Sequence, residues 1–460
     1  MGWAIPTGVR TRITDCLDKP SNTMAHLLII ELPGGNDFDL VQAAVDRGDR
    51  FTFLTSDLHH YQTQNAAWAL LEQAQQLLEI PDFAFDPVTQ AVLRVHVQIP
   101  IDAVLCLLDI RLVEAACLAE MLECKHIKAA DAVQLRDKYS VRRTLAEAGI
   151  AQPDFALARS NADLKQVVEQ LGLPLLIKPS DGYASQNIAV LRYPEDLDPL
   201  WSPLEDMLPS HADYGLGVRA NDRLLVERLM QGTVIGCDTL SVDGHHRLLG
   251  IHEKLFFEAP SFAIQGSCFA TDHPQWDAIE SYVLSILDIL HFSCGATHTE
   301  LMLTADGPRL IEVNGRMVGA KIARLVNYAL NWSFHSAVID VHLGHVPEMP
   351  VSRAQPAFAV TRWIVAEQAG VLKQVCLPIV SDPRIRCVEM MTQAGDAVRP
   401  PIENADRIGY VMVCANSRAA AEALAEQFVA QAVVMLQPTG ALAPQKPEAA
   451  PEQDTWKEAA

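Results

Sequence analysis

The sequence predicts an α/β protein with α+β portions, and three observations carry that prediction. Apolar runs of strand length alternate with helical stretches through the first 130 residues. Two later strand pairs are punctuated by turn dipeptides, Asp243-Gly244 and Asp306-Gly307. The chain has 460 residues, 49% of them hydrophobic, which is enough for about three units with cores of their own.

In the first segment, residues 1–130, His26 to Glu31 is an apolar run broken by Pro33-Gly34-Gly35, a buried strand and then a turn. A helix follows over Asp39 to Arg47, with Leu40, Ala43 and Ala44 on one face. Phe51 to Thr55 and Ile101 to Leu108 read as further strands, and Arg111 to Leu122 as a helix. This order predicts a small parallel sheet. No G-x-G-x-x-G is present, so no dinucleotide site is expected.

The second segment, 131–344, opens with a helix over Leu135 to Ala148 closed by Gly149, then one over Asp163 to Leu171 closed by Gly172. Strands are expected at Leu175 to Lys178, Ile188 to Leu191 and Leu224 to Glu227. Val234 to Val242 and Leu248 to Lys254 read as an antiparallel pair, and Trp276 to Leu290 as a helix. Thr299 to Leu303 and Arg309 to Val313 form a hairpin, followed by a helix from Ala320 to Leu330. The third segment, 345–436, mixes strands at Ala357 to Val365 and Gly409 to Cys414 with a helix over Arg418 to Met435. Residues 437–460 are rich in Pro, Ala and Glu and are expected to be a disordered tail.

Composition excludes several partners. The 36 basic and 57 acidic residues leave a net charge of −21. A nucleic-acid binder needs a basic patch to displace counterions, and an anionic membrane surface needs the same. No apolar run reaches the ~20 residues of a spanning helix. No secretory signal is visible near Met1, and ten scattered cysteines form neither zinc spacing nor a disulfide frame. A reduced, cytoplasmic protein is expected.

The hairpin carries the most chemistry. Glu300 and Glu312 lie six residues either side of Asp306. With a three-residue loop they face each other, ~4.5–5.5 Å apart, where like charges repel. His298, Glu300 and Met302 then share a face, as do Leu310, Glu312 and Asn314. A hard divalent cation, held by two carboxylates and an amide, would relieve that repulsion. A two-residue Asp306-Gly307 turn would shift the register and leave a solvated edge instead. Lys178 ends an apolar strand before Pro-Ser-Asp-Gly-Tyr-Ala-Ser-Gln-Asn, which suits a phosphate-binding loop and equally an ordinary turn. Lys138, Lys254 and Arg316 each read either as ligands for an anion or as surface charges. His59-His60, His245-His246 and His252 lack ligand spacing and read as loop or core histidines.

Taken in order, these segments resemble the ATP-grasp superfamily. Asp137-Lys138 opens a helix ending in A-G-I-A-Q-P. L-P-L-L-I-K-P-S-D-G-Y-A-S-Q-N-I-A-V follows at 173–190. L-L-V-E-R-L-M-Q-G at 224–232 resembles the adenine-holding hinge, and T-E-L-M-L-T-A-D-G-P-R-L-I-E-V-N-G-R at 299–316 the metal-binding hairpin. The resemblance implies a small parallel domain, a split ATP-grasp core and a C-terminal α+β subdomain similar to that of L-amino-acid ligases, which form dipeptides. It implies ATP and two Mg²⁺ ions, or Mn²⁺, as cofactors. Lys138 and Lys178 would contact phosphates, with Ser180, Gly182 and Ser185 in the closing loop. Glu227 would start the hinge, and the backbone of Arg228, Leu229 and Met230 would read adenine. Lys254 would join the nucleotide site, Glu300, Glu312 and Asn314 would hold metal, and Arg316 would steady the acyl phosphate. Two departures stand out. The acidic residue usual after the hinge is here Val234, and the histidine of a Gly-His pair would fall at Ser267.

The expected reaction joins a small-molecule carboxylate to an amine, both amino acids in the leading case, with ADP and phosphate released. A homodimer fits the resemblance. The competing readings are a ligase for a non-amino-acid carboxylate, a carboxylase or purine-pathway ligase, and an ATP-binding regulator without turnover. No biotinyl-carrier motif is present, and both metal carboxylates are.

Overall fold

The computed structural model describes residues 24–32, 38–63, 65–81, 83–182, 188–197, 223–258, 263–319, 321–350 and 357–437. Ser185 and the tail beyond 437 lie outside the described residues. Four parallel strands come first: β1 (His26–Ile30), β2 (Arg50–Thr55), β3 (Gln76–Glu79) and β4 (Ala103–Cys106), in the order β3-β2-β1-β4. Alternate side chains of β1 enter different cores. Leu27 and Ile29 pack with Leu40 and Val41 of the helix Asp39–Arg47. Leu28 and Ile30 pack with Val88 and Val92 of the helix Phe85–Gln98, and with Leu118 of the helix Leu112–Met121. The sheet is covered on both faces, which is why its strands read as continuous apolar runs. The helix Phe85–Gln98 falls in a stretch that the sequence reading left unassigned.

The expected helix over Leu135 to Ala148 is two helices, Ala129–Arg136 and Lys138–Glu147. Asp137 adopts an extended conformation between them. Its carboxylate accepts from Tyr139 N–H at 3.2 Å and Ser140 Oγ at 2.9 Å. A capping aspartate thereby restarts the helix and puts Lys138 on its first turn.

Next, β5 (Phe155–Ala158), β6 (Leu175–Pro179), β7 (Ala189–Leu191) and β8 (Leu224–Arg228) form an antiparallel sheet ordered β5-β8-β6-β7. The helix Asn161–Leu171 covers it through Leu164, Val167 and Leu171.

The largest sheet draws on both later segments. Its first part is β9 (Thr233–Val242), β10 (His245–Phe256), β11 (Ile264–Ala270), β12 (Gly295–Thr304), β13 (Gly307–Asn314) and β14 (Phe358–Ile364). Then come β15 (Gly370–Cys376), β16 (Ile385–Met390), β17 (Ala397–Val398), β18 (Gly409–Ala415) and β19 (Val433–Leu436). Eight of these form one antiparallel sheet, β13-β12-β9-β10-β11-β14-β18-β16. Strands from either side of residue 344 thus share a sheet. The helix Trp276–Ile289 packs Ile279, Val283 and Ile286 against Leu301 and Leu310.

The last helix is shorter than the sequence suggested. It spans Arg418–Gln431, and Val433–Leu436 pairs with β15. The Val433-Val434 pair is β-branched and suits a strand better than a last helical turn. Among the described residues no helix is long and apolar enough to cross a membrane.

Candidate active site

The hairpin β12–β13 reaches its expected pairing by an unexpected route. Thr304 pairs with Gly307, so the loop has two residues, Ala305 and Asp306. Continued without a break, that register would put Glu300 opposite Ile311. The register shifts between Glu300 and Leu301, so Ile311 is an extra residue and Glu300 faces Glu312. The shift also corrects one expectation. Leu310 pairs with Leu301 and is buried in the core, rather than sharing a face with Glu312 and Asn314.

Each carboxylate has a cationic partner. Lys254 Nζ lies 2.7 Å from Glu300 Oε1, and Lys138 Nζ lies 3.3 Å from Glu312 Oε2. Asn314 Nδ2 donates to Glu312 Oε1 at 3.2 Å and to the His298 carbonyl at 3.3 Å. Burial pushes the Glu300 carboxyl up, but Lys254 and His298 hold it well below the ordinary carboxylate range. Glu300 is therefore an anion at neutral pH.

This donor set fits magnesium. Two carboxylates and an amide oxygen offer the hard oxygen ligands such an ion takes. Among the described residues no group of three or more His, Cys, Asp and Glu side chains forms a ready-made cage.

A buried charge cluster stands behind the hairpin. Glu227, at the end of β8, lies 2.8 Å from Lys178 Nζ and 2.5 Å from Arg142 Nε. Arg142 Nη2 donates to the Leu310 carbonyl at 2.7 Å and the Ile311 carbonyl at 3.1 Å, and Lys178 Nζ to the Ile311 carbonyl at 3.4 Å. The bulged residue is thus pinned from behind by two cations. Burial raises the Glu227 carboxyl, yet Arg142 and Lys178 outweigh it and hold the group at about 2. Burial draws the Lys178 ammonium below its ordinary value, against the pull of Glu227. Two cations around one anion leave the cluster with a net positive charge.

The loop after β6 is tied to the same corner. Lys138 N–H donates to the Ser180 carbonyl at 2.8 Å, and Lys138 Nζ bonds the Gly182 carbonyl. Ser180 Oγ bonds the Asp137 carboxylate, which also pairs with Arg223 at 3.0 Å. At the end of β8, Arg228 N–H donates to the Asp154 carbonyl and Leu229 N–H to the Pro174 carbonyl. Two of the three hinge N–H groups are therefore used internally. Among the described residues the Met230 N–H has no backbone partner.

His252 is a core histidine, as its spacing suggested, and it shares a buried carboxylate with His298. Asp238 on β9 is fully buried between His252 Nε2 at 2.5 Å and His298 Nδ1 at 2.8 Å. His298 Nε2 in turn lies 3.7 Å from Glu300 Oε1. Burial alone would raise the Asp238 carboxyl, but the two histidines depress it well below the ordinary range. Burial lowers the His298 imidazole, yet Asp238 and Glu300 raise it above its usual value. Gly236 makes room for this stack, since a Cβ there would stand 2.4 Å from His298 Cε1.

A cleft of about 390 Å³ opens over these groups. It contains Lys254, Glu300, Glu312, Asn314 and Arg316 of the predicted set, with His252 and Ser267 on the same wall. Arg316 is held by Asp109 at 2.6 Å, from the loop that follows β4. Lys138 reaches this group through Glu312, whereas Lys178 and Glu227 support it from behind. Arg228 ends β8, and Leu229 and Met230 follow it, on the side where Leu229 meets Pro174. Sequence reasoning missed Arg142, Asp238, His252 and Asp109. Arg142 had one local signal, its position one helical turn after Lys138.

Two stretches of the chain match known domain families. Residues 171–324 match the ATP-grasp domain, and residues 362–436 match L-amino acid ligase C-terminal domain 2. The chain therefore carries a stretch with the sequence pattern of an ATP-grasp domain. Its second matched stretch is similar to a C-terminal domain of L-amino-acid ligases. An uncharacterised protein of Sinorhizobium fredii, y4rH, is 26% identical over 310 residues, covering 64% of this chain and 60% of its own length. The L-arginine-specific L-amino acid ligase of Bacillus subtilis is 24% identical over 224 residues, 48% of this chain and 52% of that protein. The chain thus spans about half to three-fifths of these curated relatives. The crystal structure of L-amino acid ligase from Bacillus licheniformis superposes with a TM-score of 0.74 at 20% identity, over 90% of this chain and 99% of that one. The chain therefore has the predicted mixed fold, a parallel N-terminal sheet included.

Proposed function

We propose that the chain is an ATP-dependent carboxylate–amine ligase that joins amino acids through an acyl phosphate and releases ADP and phosphate. The observation that carries this reading is the facing pair Glu300–Glu312, with Asn314 beside it, in a cleft bordered by Lys254 and Arg316. A regulator without turnover would have no need of both carboxylates.

In this reading the chain binds ATP between the two antiparallel sheets. The backbone around Met230 receives the adenine. Lys138 and Lys178, with the backbone of Ser180 and Gly182, face the phosphates, and Ser185 belongs to the same loop. Glu300, Glu312 and Asn314 would hold two magnesium ions, which would offset charge on the transferring group. Lys178 adds charge from a rigid position, because Glu227 and the Ile311 carbonyl fix its ammonium. Arg316, oriented by Asp109, steadies the substrate carboxylate and then the acyl phosphate. The amine attacks the acyl carbon, phosphate leaves, and an amide forms. The cleft must exclude water, which would otherwise hydrolyse the acyl phosphate.

The test is ADP and phosphate release from Mg-ATP with free amino acids, alone and in pairs, and Glu312→Ala as control. Release that requires a particular pair and disappears in the variant supports the ligase. Release with one added carboxylic acid and a simple amine would shift the substrate class. Failure to bind Mg-ATP would refute the reading.

A further inference from the structure

Arg407 differs from the other cations of the cleft in having no anionic partner among the described residues. It follows the short turn Asn404–Asp406, precedes β18 and lines the same cleft as Glu300 and Arg316. Its guanidinium lies 3.8 Å over the centroid of the Trp363 ring, and its Nε donates to the Asn404 carbonyl at 2.8 Å. Those two contacts fix the plane of the fork. Lys254 is neutralised by Glu300 and Arg316 by Asp109. The acids nearest Arg407 in sequence are engaged elsewhere. Glu403 and Asp406 bind Arg399 at 2.7 and 2.6 Å. Among the described residues no carboxylate pairs with Arg407, and burial alone draws its pKa down to about 10. Trp363 beneath it is also buried, lines the cleft, and has an Nε1 donor without a partner among the described residues. A half-buried guanidinium without a counter-charge among the described residues, beside an orphan donor, suits an anionic ligand.

We propose that Arg407 receives a substrate carboxylate that does not react. The inference rests on the ligase reading, which puts the reacting carboxylate at the Glu300–Glu312 end. An amino acid used as the amine keeps its carboxylate throughout, and a dicarboxylic acid used as the acyl donor keeps its second one. Either presents the same planar anion to the fork. Arg407 is then a specificity-determining residue. It favours substrates that carry a spare carboxylate over simple amines and monoacids.

The test uses the full chain, Arg407→Gln, and Arg407→Lys as the variant that keeps the charge. Two probe sets are compared: free amino acids against their carboxamides, and succinate against its monomethyl ester. Each is read by calorimetric binding with Mg-ADP present and by KM where ADP release occurs. The wild type is expected to prefer the free acid in one set by about 10–100-fold. Arg407→Gln loses that preference and Arg407→Lys keeps part of it. A preference confined to the amino acids assigns the carboxylate to the amine substrate. One confined to succinate assigns it to the acyl donor. Equal binding of free and masked acids by the wild type overturns the proposal, as does a preference that survives in Arg407→Gln. Should Arg407→Gln fail to fold, the wild-type preference and its reduction in Arg407→Lys carry the decision. Binding needs no turnover, so absence of ADP release would refute the ligase reading while the Arg407 result still stands.

Discussion

Replacing Glu227 by Gln removes one charge and leaves two buried cations facing each other. Glu227 is 3% exposed and touches both Arg142 and Lys178. Its carboxyl is held at about 2, against an ordinary 4.5, because the two cations outweigh the burial that pushes it up. By linkage that gap corresponds to about 3 kcal/mol of stability at neutral pH. The loss of one partner from a buried pair gives a similar figure, about 3–5 kcal/mol. At roughly 2–4 °C per kcal/mol for a unit of this size, Tm should fall by about 6–12 °C. The pH dependence follows from the direction of the shift. The folded carboxyl is depressed, so its contribution is complete above pH 4.5 and is lost as pH falls toward 2. Urea unfolding of wild type and Glu227→Gln between pH 7 and pH 3 should therefore show a gap that narrows below pH 4.5. Removal of Arg142 as well, as Arg142→Met, should cost less than the sum of the single changes. A Glu227→Gln protein as stable as wild type at pH 7, or a gap that does not narrow in acid, would refute the account of the cluster.

Glu300→Gln and Glu312→Gln should each lower turnover by about 10²–10³-fold. Both should also weaken the Mg²⁺-dependent rise in Tm expected on adding ADP, which thermal unfolding reads directly. Gly236→Ala would bring a methyl group 2.4 Å from His298 Cε1. The histidine must move, so a loss of about 1–3 kcal/mol and a changed His298 ring signal in NMR are expected. Arg324 joins Asp39 of the first segment, at 2.6 and 2.7 Å, to Glu389 of the third at 2.9 Å. Arg324→Ala should cost about 2 kcal/mol and speed proteolysis of the N-terminal unit, with little change in far-UV circular dichroism.

Much of the secondary structure was legible because its signals are local. The β1 run, the helix Asp39–Arg47 and the strands β9 and β10 follow from apolar periodicity and turn residues. The errors also have local causes. Asp137 caps a new helix where periodicity alone suggested continuity. Val433-Val434 leaves the last helix for a strand that only β15 can stabilise. The Glu300–Glu312 pairing was read from spacing that assumed a longer loop. The real hairpin has a tighter turn and a bulge at Ile311, and the two differences cancel.

What the chain spells out by itself is the type and order of its elements and the residue types at the hairpin. Backbone propensity, periodicity and turn chemistry act over a few residues, and Glu300, Glu312 and Asn314 fall within one such window. What only the tertiary structure decides is which distant charges meet. Arg142 and Glu227 are 85 residues apart, His298 and Asp238 are 60 apart, and Arg316 and Asp109 are 207 apart. Nothing in local sequence marks those partners. Burial makes an unpaired charge costly, so packing the sheets together selects which cation faces which carboxylate. The same packing leaves Arg407 over Trp363 without an anionic partner among the described residues.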